Sequence, residues 1–122
     1  MKSDKEKKLF AQILVRIALI DNHLASEEVV CTHDITENLG LSSTYVDQLF
    51  DKFKKERNDW SKVKPLIENV KRNSSRLELI DNVKAIIDSD HVVEEIEVAA
   101  LDKIYELWGW NDNREFEPVS DD

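Results

Sequence analysis

The chain has 122 residues, of which 41% are hydrophobic, and a formal net charge of −9. We expect residues 1–122 to form a single domain, as is typical of this length. Two glycines and two prolines are too few for the frequent turns of a β-rich protein, which favours an all-α fold. The overall acidity excludes the usual nucleic-acid binder, whose surface is basic.

The single cysteine and the apolar stretches bear on where the protein works. Cys31 has no second cysteine to pair with, which suits a reducing compartment. The charged N-terminus is followed by no long apolar run, and residues 13–20 include Arg16. This stretch is shorter than the ~20 residues that cross a bilayer. We therefore expect a cytoplasmic protein without membrane insertion.

Helices one and two are predicted from apolar periodicity and capping residues. Helix one runs from about Lys5 to Asp21, with apolar residues at helical spacing. These residues are Phe10, Ile13, Leu14, Ile17 and Ile20. Ser26 is the predicted N-cap of helix two, with Glu28 in the first turn, where the helix dipole favours anions. Its predicted core face is Cys31, Ile35 and Leu39. Gly40 is predicted to end it in the left-handed conformation.

Helices three and four occupy about residues 43–73. Helix three follows Ser42 or Ser43 and carries the apolar residues Val46, Leu49, Phe50 and Phe53. Asp59 or Ser61 can cap helix four. Pro65 is predicted to lie in its first turn, or else the helix starts there, because proline has no amide for an interior helical hydrogen bond.

Helices five and six complete the pattern. Ser75 and Glu78 fit a capping box at the start of helix five. Its predicted core residues are Leu77, Ile80, Val83, Ile86 and Ile87. Helix six runs from about Glu94 to Trp108 and ends at Gly109. Its inward residues are predicted to be Val98, Leu101, Ile104, Tyr105 and Trp108. Residues 110–113 begin a short last helix or a tail.

The first and last helix pairs repeat one pattern at an offset of 69 residues. The matching positions are Asp21 and Asp90, Glu28 and Glu97, and Gly40 and Gly109. The two units cover about residues 8–41 and 77–110, and helices three and four connect them. We therefore predict a compact bundle of about six to seven helices, built from two pseudo-repeated helix–loop–helix units around a shared core.

Each unit places an Asp in its loop and a Glu seven residues later in the next helix. Converging carboxylates repel each other unless a cation lies between them, and Ca²⁺, Mg²⁺ and Mn²⁺ prefer oxygen ligands. The candidate ligands are Asp21, Glu28, Asp90 and Glu97. All four form one site if the symmetry brings the loops together. The alternative is that these acids only cap helices, with no metal.

Other sites fit the sequence less well. The loops lack the ligand spacing and the Gly of an EF-hand, and no Glu-x-x-His motif of a di-iron bundle occurs. A zinc site would need Cys31 and His33 with His23 or His91, whereas Cys31 is better explained as a core residue and His33 as a surface residue. No nucleophile elbow, phosphate-binding glycine loop or Ser/His/Asp set is visible. We therefore predict that the protein is not an enzyme.

The two motifs resemble those of TerB-like proteins, the tellurite-resistance superfamily that includes the N-terminal domain of a DnaJ-like co-chaperone. The copies read Ile20-Asp21-Asn22-His23-Leu24 with Glu28 and Leu39-Gly40-Leu41, and Ser89-Asp90-His91-Val92-Val93 with Glu97 and Trp108-Gly109-Trp110. The resemblance implies a bundle of about seven helices and metal binding by the four acids. Asn22 and His91 replace the glycine that follows each Asp in the family. His91 thereby adds a candidate nitrogen ligand.

The resemblance implies a non-catalytic module that binds a divalent Ca, Mg or Mn ion in a stress or metal (tellurite-type) response. The alternative is a metal-independent protein-interaction or adaptor domain that uses a charge-segregated surface. Residues 51–77 carry a net charge of +5, and residues 78–122 carry −11. The expected partners are a divalent metal ion and other proteins, with a second copy of the chain as a further candidate, and no nucleic acid.

Overall fold

The computed structural model describes residues 3–20, 25–89 and 95–110, and within these ranges the chain forms six α-helices and no strand. They are α1 (Asp4–Ala18), α2 (Ser26–Asn38), α3 (Ser43–Phe53), α4 (Trp60–Ile67), α5 (Asn73–Asp88) and α6 (Glu95–Trp108). The predicted all-α bundle is confirmed. Of the predicted last element, residues 111–113 lie outside these ranges, and Trp110 lies after the end of α6. No helix of the described residues combines the length and apolarity that a membrane span requires.

Helix α1 lies at the centre of the bundle. It packs against α2, α3, α4 and α5. From Phe10 to Ile20 every residue except Gln12 is buried. A helix that is apolar on all sides is stable only when other elements surround it. The predicted core residues of α1 are confirmed, and the structure adds Ala11, Val15, Ala18 and Leu19.

Arg16 is the one charged residue of the stretch from Phe10 to Ile20. Its Nη1 donates to Oδ1 of Asn58 at 2.9 Å, and its Nη2 donates to Oε1 of Glu56 at 3.0 Å. The guanidinium carbon lies 3.8 Å from the centroid of the Phe53 ring. Asn58 is 5% exposed and donates in turn to the carbonyl of Phe53. This network holds the loop between α3 and α4 against α1.

At α4 the structure agrees with one prediction and contradicts another. Asp59 is the N-cap, and its carboxylate accepts from the amide of Ser61. The hydroxyl of Ser61 and the charge of Arg57 lower the pKa of the Asp59 carboxyl. Pro65 lies at the sixth residue of α4, so the prediction that it lies in the first turn is wrong. The missing amide removes one hydrogen bond of a helix that ends two residues later, at Ile67.

The predicted capping box at Ser75 is also wrong. Helix α5 begins two residues earlier, after the N-cap Arg72. The hydroxyl of Ser75 donates to Oε2 of Glu6 at 2.8 Å, and Arg72 donates to Oε1 of Glu6 at 2.8 Å. Ser75 therefore bonds to Glu6 on α1 and does not cap α5, although the local sequence pattern predicts a cap. Among the predicted core residues of α5, Leu77 is only half-buried, and Leu79 occupies the core instead.

The two glycines end their helices in the same way. Gly40 and Gly109 have φ values of +89° and +72°, as predicted for left-handed C-terminal caps. The amide of Gly40 donates to the carbonyl of Glu37, and the next amide donates to the carbonyl of Thr36. At Gly109 the same two bonds reach the carbonyls of Glu106 and Tyr105. Both ends are Schellman motifs, which satisfy carbonyls left free at a helix end.

Helix α6 packs against α4 and α5. The guanidinium carbon of Arg76 lies 5.0 Å from the ring centroid of Trp108, and Nε of Arg76 donates to the carbonyl of Val70. Trp108 is half-buried against the core, and Val98 is also only half-buried, whereas both were predicted to point inward. The other predicted inward residues of α6, Leu101, Ile104 and Tyr105, are buried.

Candidate metal centre

Glu28 lies at the third residue of α2 and is 1% exposed. Its Oε1 accepts a hydrogen bond from the backbone amide of Ala25 at 3.1 Å. Ala25, not the predicted Ser26, is the N-cap residue. An alanine has no acceptor to return the bond, so only the glutamate half of a capping box is present. The hydroxyl of Ser26 donates instead to Glu27.

The buried residues of α2 that face the core are polar. Thr32 and Thr36 follow Glu28 at spacings of four and are 0% and 1% exposed. Their hydroxyls donate to the carbonyls of Glu28 and Thr32, each at 2.8 Å. Because these bonds satisfy both hydroxyls within the helix, Thr32 and Thr36 can be buried. The predicted core face, Cys31, Ile35 and Leu39, is only partly buried against the core.

Glu97 occupies the equivalent place in the second unit. It is the third residue of α6 and is also 1% exposed. Leu101 and Tyr105 follow it at spacings of four and are buried. Both repeats therefore bury one carboxylate in the first turn of the second helix. The repeat selects these two residues from the sequence, but their spacing does not indicate that they are inaccessible to solvent.

The other predicted ligands, Asp21, Asp90 and His91, lie outside the described residues. Within residues 3–20, 25–89 and 95–110, no three His, Cys, Asp or Glu side chains are grouped to hold a metal ion. A shared four-carboxylate site therefore stays a prediction. The donor chemistry of Glu28 and Glu97 fits a hard divalent cation. The bond from Ala25 fits the capping alternative at Glu28.

The residues weighed for a zinc site have other contacts. Burial raises the pKa of the Cys31 thiol, and the carboxylates of Asp34 and Glu28 raise it further. The protonated thiol therefore predominates at neutral pH, and it is a poor nucleophile and metal ligand. His33 is mostly buried, with a side-chain exposure of 19%, so its prediction as a surface residue is wrong.

His33 connects α2 to α3 through both ring nitrogens. Its Nε2 lies 2.9 Å from Oδ1 of Asp47, and its Nδ1 lies 3.4 Å from Oγ of Ser43. A Ser/His/Asp set therefore exists, although none is visible in the sequence. Ser43 is exposed, and the Asp47 side chain is 65% exposed. The aspartate of a serine-hydrolase triad is buried, so this arrangement is better explained as a link between two helices.

The chain matches the model of one protein family, described as Tellurite resistance protein TerB, over residues 7–118. This match covers nearly the whole chain, including both Asp/Glu motifs and both capping glycines. Searches of curated proteins and of solved structures found no match.

Proposed function

The chain belongs to the TerB family of tellurite resistance proteins, and we propose that it is a non-catalytic module that binds a divalent cation. The cation would be held by the two Asp/Glu loops, with Glu28 and Glu97 as ligands from the helices and Asp21 and Asp90 as ligands from the loops. The module would act in a stress or metal response of the tellurite type.

The burial of Glu28 and Glu97 is the observation that carries this proposal. Removing a carboxylate from water costs several kcal/mol unless opposite charge or hydrogen bonds compensate. Each glutamate is 1% exposed at the third residue of its helix. A divalent cation is a strong compensating charge, and it accounts for the same acid at the same position of both repeats.

The capping bond of Glu28 is compatible with metal binding. An ionised carboxylate has two oxygens and about four lone-pair positions. The amide of Ala25 uses one position on Oε1. A carboxylate that accepts a backbone amide is also held in one orientation, which is what an outer hydrogen bond does for a metal ligand. Oxygen ligands favour Ca²⁺, Mg²⁺ or Mn²⁺, and His91 would add a nitrogen ligand that suits Mn²⁺ better than Ca²⁺.

Thermal unfolding with and without metal tests the proposal. The protein is treated with a chelator, and its melting temperature is recorded with no metal and with added Ca²⁺, Mg²⁺, Mn²⁺ or Zn²⁺. An ion that binds only the folded state, at 100 times its dissociation constant, adds about 2.7 kcal/mol. For a chain of this size that raises the melting temperature by roughly 10 °C. We expect this rise with at least one ion, and its loss in a Glu28→Gln, Glu97→Gln double variant.

A matched control separates ligation from general charge effects. Glu27 and Glu95 lie in the first turns of the same two helices but are exposed. The Glu27→Gln, Glu95→Gln double variant removes the same charge and should keep the metal-dependent rise. If no ion raises the melting temperature of the wild type, the metal proposal is wrong. The metal-independent adaptor domain, in which the glutamates cap helices, then becomes the better function.

A further inference from the structure

The structure contains a groove at the start of α1, at the opposite end of this helix from Ala18. It has a volume of about 800 Å³ and lies between the first turns of α1 and the turn that joins α4 to α5. Lys8 lines it and precedes Ala18 by ten residues, which is about 15 Å along a helix at 1.5 Å per residue. Any ligand of this groove would therefore bind separately from a cation at the loops.

Three of the side chains that line the groove are cationic and one is anionic. Lys5 and Lys8 contribute from α1, and Arg72 contributes from the start of α5. The anion is Glu6, which accepts from Arg72 at 2.8 Å and from Ser75 at 2.8 Å. Glu6 is thus neutralised within the protein and holds Arg72 in place. The two lysines are exposed, so the groove presents net positive charge on a chain whose formal charge is −9.

The remaining polar lining suits a polypeptide. The side-chain amides of Gln12 and Asn69 line the groove beside the charged groups. An amide side chain offers both a donor and an acceptor, which match the N–H and C=O of an extended backbone. The two lysines would meet carboxylates of the ligand through charge-assisted hydrogen bonds.

We propose that this groove binds a short acidic segment of a partner protein in extended conformation. A volume of about 800 Å³ is far larger than a single inorganic anion needs. A nucleic acid or an anionic membrane carries dense negative charge over a wide area, which the acidic remainder of this protein would repel. A segment with a few carboxylates fits a local positive site without that repulsion.

Fluorescence anisotropy with a defined probe tests this inference. The probe is a labelled, end-blocked peptide of about twelve residues, rich in Glu and Asp, and its control has Gln and Asn in their place. Titrations use the full chain in chelator at about 150 mM NaCl, where long-range attraction is screened. We expect the acidic probe to bind and the neutral probe to bind at least tenfold more weakly. The Lys5→Gln, Lys8→Gln double variant should lose about tenfold in affinity for the acidic probe.

The control variant removes two exposed lysines elsewhere, Lys55→Gln and Lys62→Gln, and should change the affinity less than twofold. Equal losses in both variants would mean diffuse electrostatic attraction and would overturn the inference. It would also be wrong if the acidic probe did not bind. Loss of binding to phosphatidylserine vesicles in the groove variant, with peptide binding unchanged, would assign the groove to membranes instead. Because metal is absent throughout, these outcomes are independent of the proposed cation site.

Discussion

Glutamate side chains are almost never fully buried in soluble proteins unless they are paired, and Glu28 and Glu97 are each 1% exposed. Their neighbours Glu27 and Glu95 have the same charge and the same helix turn but face solvent. The favourable helix dipole acts on all four glutamates. It therefore does not explain why only Glu28 and Glu97 are buried. At the residue scale, the case for a cation rests on this difference.

Gly109 gives a prediction about backbone conformation alone. A Cβ added at this position would meet no atom within 4 Å, and φ is +72°. The Gly109→Ala variant therefore adds no clash, and we expect it to lower the free energy of unfolding by about 1 kcal/mol through the left-handed conformation. Urea denaturation measures this. Gly109→Asn should lose less, because asparagine tolerates the left-handed region better. An unchanged stability in the alanine variant would contradict the Schellman end of α6.

At the scale of helices, the starts of α2 and α5 show that a residue of a good capping type does not always cap. Ser26 and Ser75 are both good N-cap residues by type, but neither caps its helix. Ser75 donates to Glu6 on α1, and Ser26 donates to Glu27. At α3 and α4, Ser42 and Asp59 are the N-caps, each one of the two cap residues predicted for its helix. A good cap residue therefore fails to cap when another acceptor takes its hydroxyl, whether that acceptor is distant in the chain, as for Ser75, or adjacent, as for Ser26.

Arg16 gives a prediction about how α1 holds the loop between α3 and α4. An Arg16→Met variant keeps the bulk of the side chain but leaves the acceptors of Asn58 and Glu56 without this donor. We expect the free energy of unfolding to fall by about 1–3 kcal/mol, because buried groups lose their partner. Urea denaturation of Arg16→Met, Asn58→Ala and the double variant should give a coupling energy of at least ~0.5 kcal/mol.

The control for this prediction is a solvent-exposed arginine in the same region. The Arg57 side chain is 86% exposed and pairs with Asp59 at 2.9 Å. Exposed pairs of this kind contribute about 0–1 kcal/mol. The Arg57→Gln variant should therefore stay close to wild type. Equal losses at Arg16 and Arg57 would show that burial of the network does not decide its contribution.

At the scale of the whole molecule, the two helix pairs correspond without being equivalent. The hydrogen bond between Glu6 and Ser75 spans 69 residues, which is the repeat offset, so matching positions just before the two units touch. Arg16 is buried, however, whereas its counterpart Ala85 is exposed. The reason is that α3 and α4 pack on α1 and make it the central helix. The prediction of one domain over residues 1–122 remains a prediction.

The net charge of −9 leads to a prediction about salt. Like charges oppose the compact state, and added salt screens them. The exposed ion pairs of the described residues, such as Lys54 with Asp51, are too weak to reverse this trend. In chelator, the free energy of unfolding from urea titrations should rise between about 20 and 300 mM NaCl. A decrease would show that attractive pairs outweigh the repulsion.

The sequence alone determined the helical class, the helix ends at Gly40 and Gly109, and the repeat that selects Glu28 and Glu97. These features depend on apolar periodicity and on capping within a few residues along the chain, so they can be read locally. Only the tertiary structure decided that α1 is central, that Arg16 and the two glutamates are buried, and that Lys5, Lys8 and Arg72 share a groove. The physical reason is that the burial of a side chain and its choice of hydrogen-bond partner depend on contacts between residues distant in sequence, such as Glu6 and Ser75. Several local conformations compete at such positions, and packing selects one of them.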